Sequence, residues 1–357
     1  MRGSEFALRW CVLAVALITT WGTTVPAEEL GRWSRRVAAA GVDPTDAVYP
    51  FRATEAMRAW AQEAVKLYRT SSPAQQLQAL QRAMFAEDFT FEYVDSMTVV
   101  AAEAFEERRG NCMSFTAMFI AMARSLDIPA FLVSVRRQPE VERDRDLVVL
   151  NRHVVAGYRA PDRVWLFDFY VTSSASYVSH EIVDDVRVSA LFHTNLGGEA
   201  IRAGDTAEAV RHLTIATSLA PDYAPAWVNL GVARFRGDDI DGAFDAYHEA
   251  LHVDPGNPSA LTNMAFAYRQ QGMEREADHA LRAAAEGSRN PFTLIAAAEL
   301  ELIRGDLERA RWYLRRARSA HGDMPAVHDA LARLARLEGN EDRARKHAER
   351  AAELRTR

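Results

Sequence analysis

Apolar positions along this chain follow three different rhythms. Trp10 to Trp21 is a nearly continuous apolar run preceded by Arg2 and Arg9. From Thr54 to Arg69, Met57, Trp60, Ala61, Ala64, Val65 and Tyr68 recur at the i, i+3, i+4, i+7 spacing of one helix face. A second helix is predicted after Ser72-Pro73, where Ser caps and Pro takes the first turn. Strand-like stretches follow at Ala130 to Val135, Arg152 to Tyr158 and Val164 to Tyr170, the last two joined by the turn sequence Ala160-Pro161-Asp162.

Beyond residue 190 the pattern repeats. Phased at Ala190, Ala224, Pro258, Pro291 and Pro325, the chain has spacings of 34, 34, 33 and 34 residues. Position 20 of each repeat is then Ala209, Ala243, Ala277, Ala310 and Ala344, and position 27 is Ala216, Ala250, Ala284, Ala317 and Ala351. Small residues at fixed positions of paired helices let the two backbones cross closely. A glycine falls in or beside each mid-repeat turn, at Gly204, Gly237, Gly272, Gly305 and Gly339. Arg304, Arg309, Arg311, Arg315, Arg316 and Arg318 make the fourth repeat basic, which reads as a solvated helix face with an acidic peptide as the alternative.

With 357 residues, 48% apolar and 26% charged, the chain can bury two or three domain cores. Forty-three basic against 49 acidic residues, a net charge of -6, offers no counterion-release electrostatics, so no nucleic-acid partner is expected. The first apolar run is shorter than the ~20 residues of a membrane span. With Val25-Pro26-Ala27 placing small residues before Glu28, residues 1–27 read as a signal peptide. The mature chain is then expected to be exported, periplasmic or secreted, with no stable membrane span. An uncleaved anchor is the alternative. Cys11 lies inside the run without the flanking residues of a lipoprotein site, so cleavage leaves Cys112 as the sole cysteine. A disulfide scaffold is excluded.

Residues 97–109 read as a helix ending at Gly110, after which Asn111 caps a helix from Cys112 to Leu126. Cys112 therefore lies in a first turn, where backbone N–H groups and the helix dipole favour a thiolate; Arg108 and Arg109 just upstream are placed to add to this. Phe115, Phe119 and Met122 share its face, which points the thiol at a core or apolar cleft. His153 and Asp168 lie on strands that can pair. The order Cys112, His153, Asp168, separated by 41 and 15 residues, suits a nucleophile, a base and an orienting carboxylate. Asn111 and the Cys112 N–H are oxyanion-hole candidates. Glu140, Glu142, Asp144 and Asp146 alternate as calcium ligands on an extended ribbon would, but interleaved Arg143 and Arg145 favour a solvated charged hairpin. No zinc or phosphate-loop motif occurs, and neither metal nor cofactor is expected.

Gly110-Asn111-Cys112, Ala117, Arg124, Ile128-Pro129-Ala130, His153 and Trp165-Leu166-Phe167-Asp168 resemble the transglutaminase-like superfamily, over roughly residues 90 to 172. That resemblance implies papain-like cysteine chemistry, with Cys112 as the acyl-accepting nucleophile, His153 as its base and Asp168 holding the imidazole. Its members include cross-linkers, deamidases, bacterial cysteine proteinases and inactive binding relatives, some of them calcium-dependent. Two positions depart from it. Asp127 stands where members often have Gly, and Val154-Val155 stand where an aromatic often follows the His. Trp227, Leu230, Gly231, Ala243, Tyr247, Ala250 and Pro255 of the second repeat resemble the tetratricopeptide (TPR) repeat, which implies a superhelix whose groove holds a protein or peptide.

The expected architecture is an α+β papain-like, transglutaminase-like domain followed by an all-α TPR solenoid. Its boundaries are a signal peptide over 1–27, a helical segment over 28–86 without visible chemistry, the transglutaminase-like domain over 87–188 and five repeats over 190–354. The expected function is cysteine-dependent acyl transfer, hydrolysing a peptide or isopeptide amide on a protein held by the repeats. A catalytically inactive scaffold in the cell envelope is the alternative.

Overall fold

The computed structural model describes residues 27–356 except 70, 137–141, 145–146, 150–152, 170–178 and 322. The apolar run of the expected signal peptide lies outside the described residues. Three helices open the fold: α1 (Ala27–Ala39), α2 (Glu55–Ala64) and α3 (Pro73–Met84). The periodicity from Thr54 to Arg69 divides into α2 and a 3-10 turn, Lys66–Tyr68. Ser72 caps α3 reciprocally: its hydroxyl accepts from the Gln75 N–H and the Gln75 side chain accepts from the Ser72 N–H.

Next come β1 (Glu92–Tyr93), α4 (Ala101–Glu107), β2 (Arg109–Gly110) and α5 (Cys112–Ser125). The helix predicted over 97–109 is confined to α4, because Arg108 takes a left-handed conformation and β2 turns to pair in parallel with β1. Gly110 has φ +151°, and a Cβ there would sit 2.5 Å from that of Ser114, so this position, two residues before Cys112, admits only glycine without strain. Then follow β3 (Phe131–Arg136), β4 (Glu142–Asp144), β5 (Leu147–Val149), β6 (His153–Arg159), β7 (Val164–Phe167) and β8 (Ser179–Val183). One sheet has the order β7-β6-β3-β8, while β4 and β5 form a separate two-stranded ribbon.

The core of the first unit is α5 against this sheet. Every residue from Met113 to Ala123 is buried, and Phe119 stacks on Phe167 with ring centroids 5.1 Å apart. Burying each large apolar side chain there stabilises the fold by about 1.5–3 kcal/mol. At the far end of α5, Arg124 holds Asp185 through two hydrogen bonds of 2.8 and 2.9 Å and Glu29 through one of 2.7 Å, over the ring of Phe51. Asp127 then has φ +61°, the left-handed turn that a glycine commonly serves and an Asp tolerates.

The helices α6 (Asp185–Ala203), α7 (Thr206–Leu219), α8 (Ala224–Arg236), α9 (Ile240–Val253) and α10 (Pro258–Gln270) continue as α11 (Glu274–Gly287), α12 (Pro291–Arg304), α13 (Leu307–His321), α14 (Pro325–Leu337) and α15 (Glu341–Arg355). They pair in sequence into five repeats. All ten repeat alanines at positions 20 and 27 are buried. Position 15 supplies the left-handed turn residue in every repeat: Gly204, Gly272, Gly305 and Gly339, with Asp238 taking that role in repeat 2 beside Gly237. In the fourth repeat Arg304 pairs with Asp278, Arg311 with Glu338 at 2.6 Å, and Arg316 donates to the Ala285 and Ser288 carbonyls. These arginines serve neighbouring helices.

The chain divides into two compact units between Ser189 and Ala190, with one exchange: Arg136–Arg152, the excursion carrying β4 and β5, groups with the repeats.

Candidate active site

Asn111 starts the site. Its Oδ1 accepts from the Met113 and Ser114 N–H groups at 3.1 and 3.2 Å, which caps α5. Its Nδ2 donates to Thr98 Oγ1 at 2.7 Å and to the Asp95 carbonyl at 3.4 Å. Both amide hydrogens are thus engaged in building the helix start, and the side chain has none left for an oxyanion. Cys112 follows as the first residue of α5, partly exposed and free of any disulfide. A first-turn N–H has no intrahelical acceptor, so the main-chain N–H of Cys112 is the donor that the helix geometry leaves at this point. Arg108 and Arg109 are turned to other partners: Arg108 donates to the Asp88 carbonyl at 2.7 Å and Arg109 to Met97 Sδ at 3.2 Å.

His153 opens β6, and β7 pairs with β6 antiparallel, Ala156 opposite Phe167. Extending that register by one places Asp168 opposite Val155, on the face that His153 shares and diagonal to it. His153 Nε2 lies 2.9 and 3.1 Å from the two Asp168 oxygens. The ring makes a second side-chain hydrogen bond with Cys112, for which Nδ1 is the remaining nitrogen. The three residues predicted from the sequence therefore converge in one hydrogen-bonded chain.

The side chains of His153 and Asp168 are only 9% and 6% exposed. Burial works against charge on the imidazole, but the hydrogen bond it donates to Asp168, then the hydrogen bond and charge of Cys112, outweigh it and raise the pKa of His153 to about 9. The raised value favours the protonated ring. Thr116 in α5 donates to the Val154 carbonyl at 3.2 Å, which fixes the helix bearing Cys112 to the strand bearing His153. Val154 and Val155 are buried in the core. Phe169, next to Asp168, packs against Phe115 and Tyr93 with centroids 5.4 and 5.1 Å apart, which sets an aromatic cluster beside Asp168.

Sequence reasoning missed one contributor. Gln81, in the helical segment read as lacking chemistry, donates to the Asp168 main-chain carbonyl at 2.9 Å. Of the four carboxylates considered for calcium, Glu142 and Asp144 fall in β4, while Glu140 and Asp146 lie outside the described residues. Among the described residues no group of three His, Cys, Asp or Glu is arranged to hold a metal, and no helix is long and apolar enough to cross a membrane.

Several solved structures resemble about half of this chain. A structure from the functional characterization of Pseudomonas aeruginosa PilF is 22% identical, with a TM-score of 0.42, over 48% of this chain and 77% of that one. MamA from Desulfovibrio magneticus is 16% identical, with a TM-score of 0.37, over 47% and 95%. The Cut9–Hcn1 heterotetramer of the APC/C is 16% identical, with a TM-score of 0.39, over 49% and 32%. The repeat assignment itself rests on the helix pairs and their buried alanines. Residues 58–168 match the model of the transglutaminase-like superfamily, so the chain joins a transglutaminase-like domain to a solenoid of TPR-type helix pairs.

Proposed function

We propose that this protein is an exported cysteine-dependent acyl-transfer enzyme that hydrolyses a peptide or isopeptide amide, with its repeats binding a protein substrate or partner. The observation that carries the reading is the imidazole of His153, hydrogen-bonded on one side to Asp168 and on the other to Cys112. In this mechanism His153 Nδ1 takes the thiol proton and the thiolate sulfur bonds to the amide carbonyl carbon. The oxyanion that forms accepts from the Cys112 main-chain N–H. Collapse breaks the carbon–nitrogen bond, the imidazolium gives its proton to the leaving amine, and a thioester remains on Cys112. Water, deprotonated by the same imidazole, attacks the thioester and restores the thiol. An amine in place of water would make the same site a cross-linker, and mass analysis of products with and without added amine separates the two.

Export draws on residues 1–27 and on a sole remaining cysteine that functions without a disulfide partner. It is in keeping with this that Glu29, two residues past the cleavage site, bonds both Tyr49 and Arg124. The test of the catalytic reading is alkylation of folded protein by a thiol-directed electrophile, with His153→Ala in parallel. Rapid modification of Cys112 that the substitution abolishes supports it, and an inert Cys112 in both overturns it. The inactive scaffold is the second reading, favoured by Val154 and Val155, which lie in the core and add no aromatic wall to an acyl site. Loss of biological activity in Cys112→Ser, with partner binding intact, would exclude that reading.

A further inference from the structure

Cys112 opens α5, and Phe115 lies one turn further along the same face, about 4.5 Å down the helix axis. Phe115 is buried and forms the floor of the aromatic cluster beside Asp168. At its centre Phe169, the residue after Asp168, touches Phe85, Phe91, Tyr93 and Phe115 with ring centroids 5.7, 5.9, 5.1 and 5.4 Å away. The outer rings arrive from elements that also build the site. Tyr93 in β1 pairs with Gly110, two residues before Cys112. Phe85 closes α3 one turn after Gln81, whose side chain bonds the Asp168 carbonyl.

Phe85 differs from the rings beneath it. Phe91 and Phe115 are buried, while Phe85 is 37% exposed. Its ring stacks on Phe115 with centroids 5.7 Å and planes 30° apart, and its main-chain N–H bonds the Arg82 carbonyl at 3.2 Å, so it is held in place while open to solvent. The large apolar side chains exposed in the first unit are Leu67, Tyr68, Phe85 and Ile182, and of these Phe85 alone is stacked into the cluster beside Asp168. Leaving that much phenylalanine surface in water forgoes stabilisation that the neighbouring rings obtain. A pair of rings with the inner one buried and the outer one open is completed by a third ring laid against it. Val154 and Val155, buried in the core, supply none.

We infer that Phe85 is a specificity-determining residue, whose open side receives an aromatic side chain of the acyl donor, carried by the residue that bears the scissile carbonyl or by the one before it. The inference rests on the catalytic reading of Cys112. An extended residue spans about 3.3 Å, so these two donor positions cover the single helical turn between Cys112 and Phe115. The substrate class is a peptide cut directly after an aromatic residue or one residue beyond it.

The test uses the full chain and two pairs of thioesters of one small thiol: N-acetyl-phenylalanine against N-acetyl-alanine, and N-acetyl-phenylalanyl-glycine against N-acetyl-alanyl-glycine. With each donor the Cys112 sulfur bonds to the thioester carbonyl carbon, the bond to the departing thiol breaks, and that thiol leaves with the proton held by His153. Intact-mass spectrometry follows the acyl-enzyme, with Cys112→Ser as the blank and alkylation by iodoacetamide, which has no ring, as the reference rate for each protein. In at least one pair the phenylalanine donor is expected to acylate about tenfold faster than the alanine donor, or more. Phe85→Ala should bring that ratio to within about twofold of one, and Phe85→Tyr should keep it. Because the ratio compares two donors on one protein, a partly unfolded variant lowers both rates alike. Should Phe85→Ala not fold, Phe85→Leu takes its place, keeping the bulk without the ring face, and the ratio should fall about threefold or more. A ratio near one in both pairs on the unaltered protein, or a ratio that survives loss of the ring, overturns the inference alone when iodoacetamide still alkylates Cys112. A Cys112 inert to thioesters and iodoacetamide overturns the inference and the catalytic reading together.

Discussion

Gln81 donates its side-chain amide to the main-chain carbonyl of Asp168 at 2.9 Å, joining residues 87 apart in sequence. Asp168 lies just past the last residue that β7 pairs with β6, so the sheet alone does not hold its backbone. Gln81 supplies that restraint from α3, and it acts on the imidazole only through Asp168. A net hydrogen bond of this kind is worth about 1 kcal/mol. Gln81→Ala is therefore expected to slow acylation of Cys112 by an activated ester up to about tenfold and to shift its pH profile, with the melting temperature nearly unchanged. An unaltered rate and profile, read by intact-mass spectrometry, would show that Gln81 is only a packing residue.

Asp168→Asn keeps the shape of the contact with His153 and removes its charge. The amide also offers a donor where Nε2–H needs an acceptor, which favours the wrong tautomer of the base. Loss of the corresponding carboxylate from a Ser-His-Asp triad costs about 10,000-fold, and a fall of about 1,000- to 10,000-fold in Cys112 acylation is expected here. Combining it with His153→Ala should add little, since the two act as one unit.

The raised pKa of His153 also makes stability depend on pH. A histidine whose folded value lies near 9, above its ordinary value near ~6.5, contributes stability that is fully present below pH ~6.5 and is lost as pH rises through about 9. Urea midpoints of the unaltered protein should fall between pH 6.5 and 9 relative to those of Asp168→Asn, in which the strongest support for the charge is gone. Parallel curves for the two proteins would contradict the imidazolium assignment.

The repeats and the pairing of His153 with Asp168 were legible because each rests on a local rhythm: a 34-residue period of alanines, and two strand-like stretches joined by Ala160-Pro161-Asp162. The contribution of Gln81 had no such signal, since nothing about a glutamine on an amphipathic helix records that it meets a carbonyl 87 residues on. The grouping of Arg136–Arg152 with the repeats was hidden for the same reason. Asn111 shows a different limit. Its type suited both capping and an oxyanion hole, and only the partners at Thr98 and Asp95 reveal that both amide hydrogens are engaged.

Within repeat 2, Gly231 lets the ring of Tyr247 pass directly over its backbone; a Cβ at that position would overlap the ring. Gly231→Ala should destabilise the solenoid by about 1–3 kcal/mol through overpacking. The Tyr247 hydroxyl is buried with no hydrogen-bond partner among the described residues. Tyr247→Phe should consequently be neutral or stabilising by about 1 kcal/mol, since it removes an unmet polar group and leaves the ring in place. Thermal unfolding of the two variants checks both signs.

The first and last repeats share a feature that the middle three lack. Positions 4 and 23 are His193 and His212 in repeat 1 and His328 and His347 in repeat 5, with Nδ1 to Nδ1 distances of 2.8 and 3.0 Å. Repeat 3 has Leu261 and Ala280 at these positions. A contact between two ring nitrogens needs one donor and one acceptor, so it does not survive double protonation. Burial, followed by the charges of His212 and Arg211 and opposed by Glu208, lowers the pKa of His193 to about 3; burial and Arg211 likewise depress His212, against Glu208. Depressed histidines are neutral in the fold, so the stability they allow is fully present above pH ~6.5 and is lost as pH falls below it toward 3. Amides of α6 and α7 should therefore lose hydrogen-exchange protection between pH 7 and 5, while those of α10 and α11 keep theirs after correction for intrinsic rates. Replacing the first pair by the residues of repeat 3, His193→Leu with His212→Ala, should abolish that difference. Protection that still falls with acid in this double variant would place the pH sensitivity outside the histidine pair.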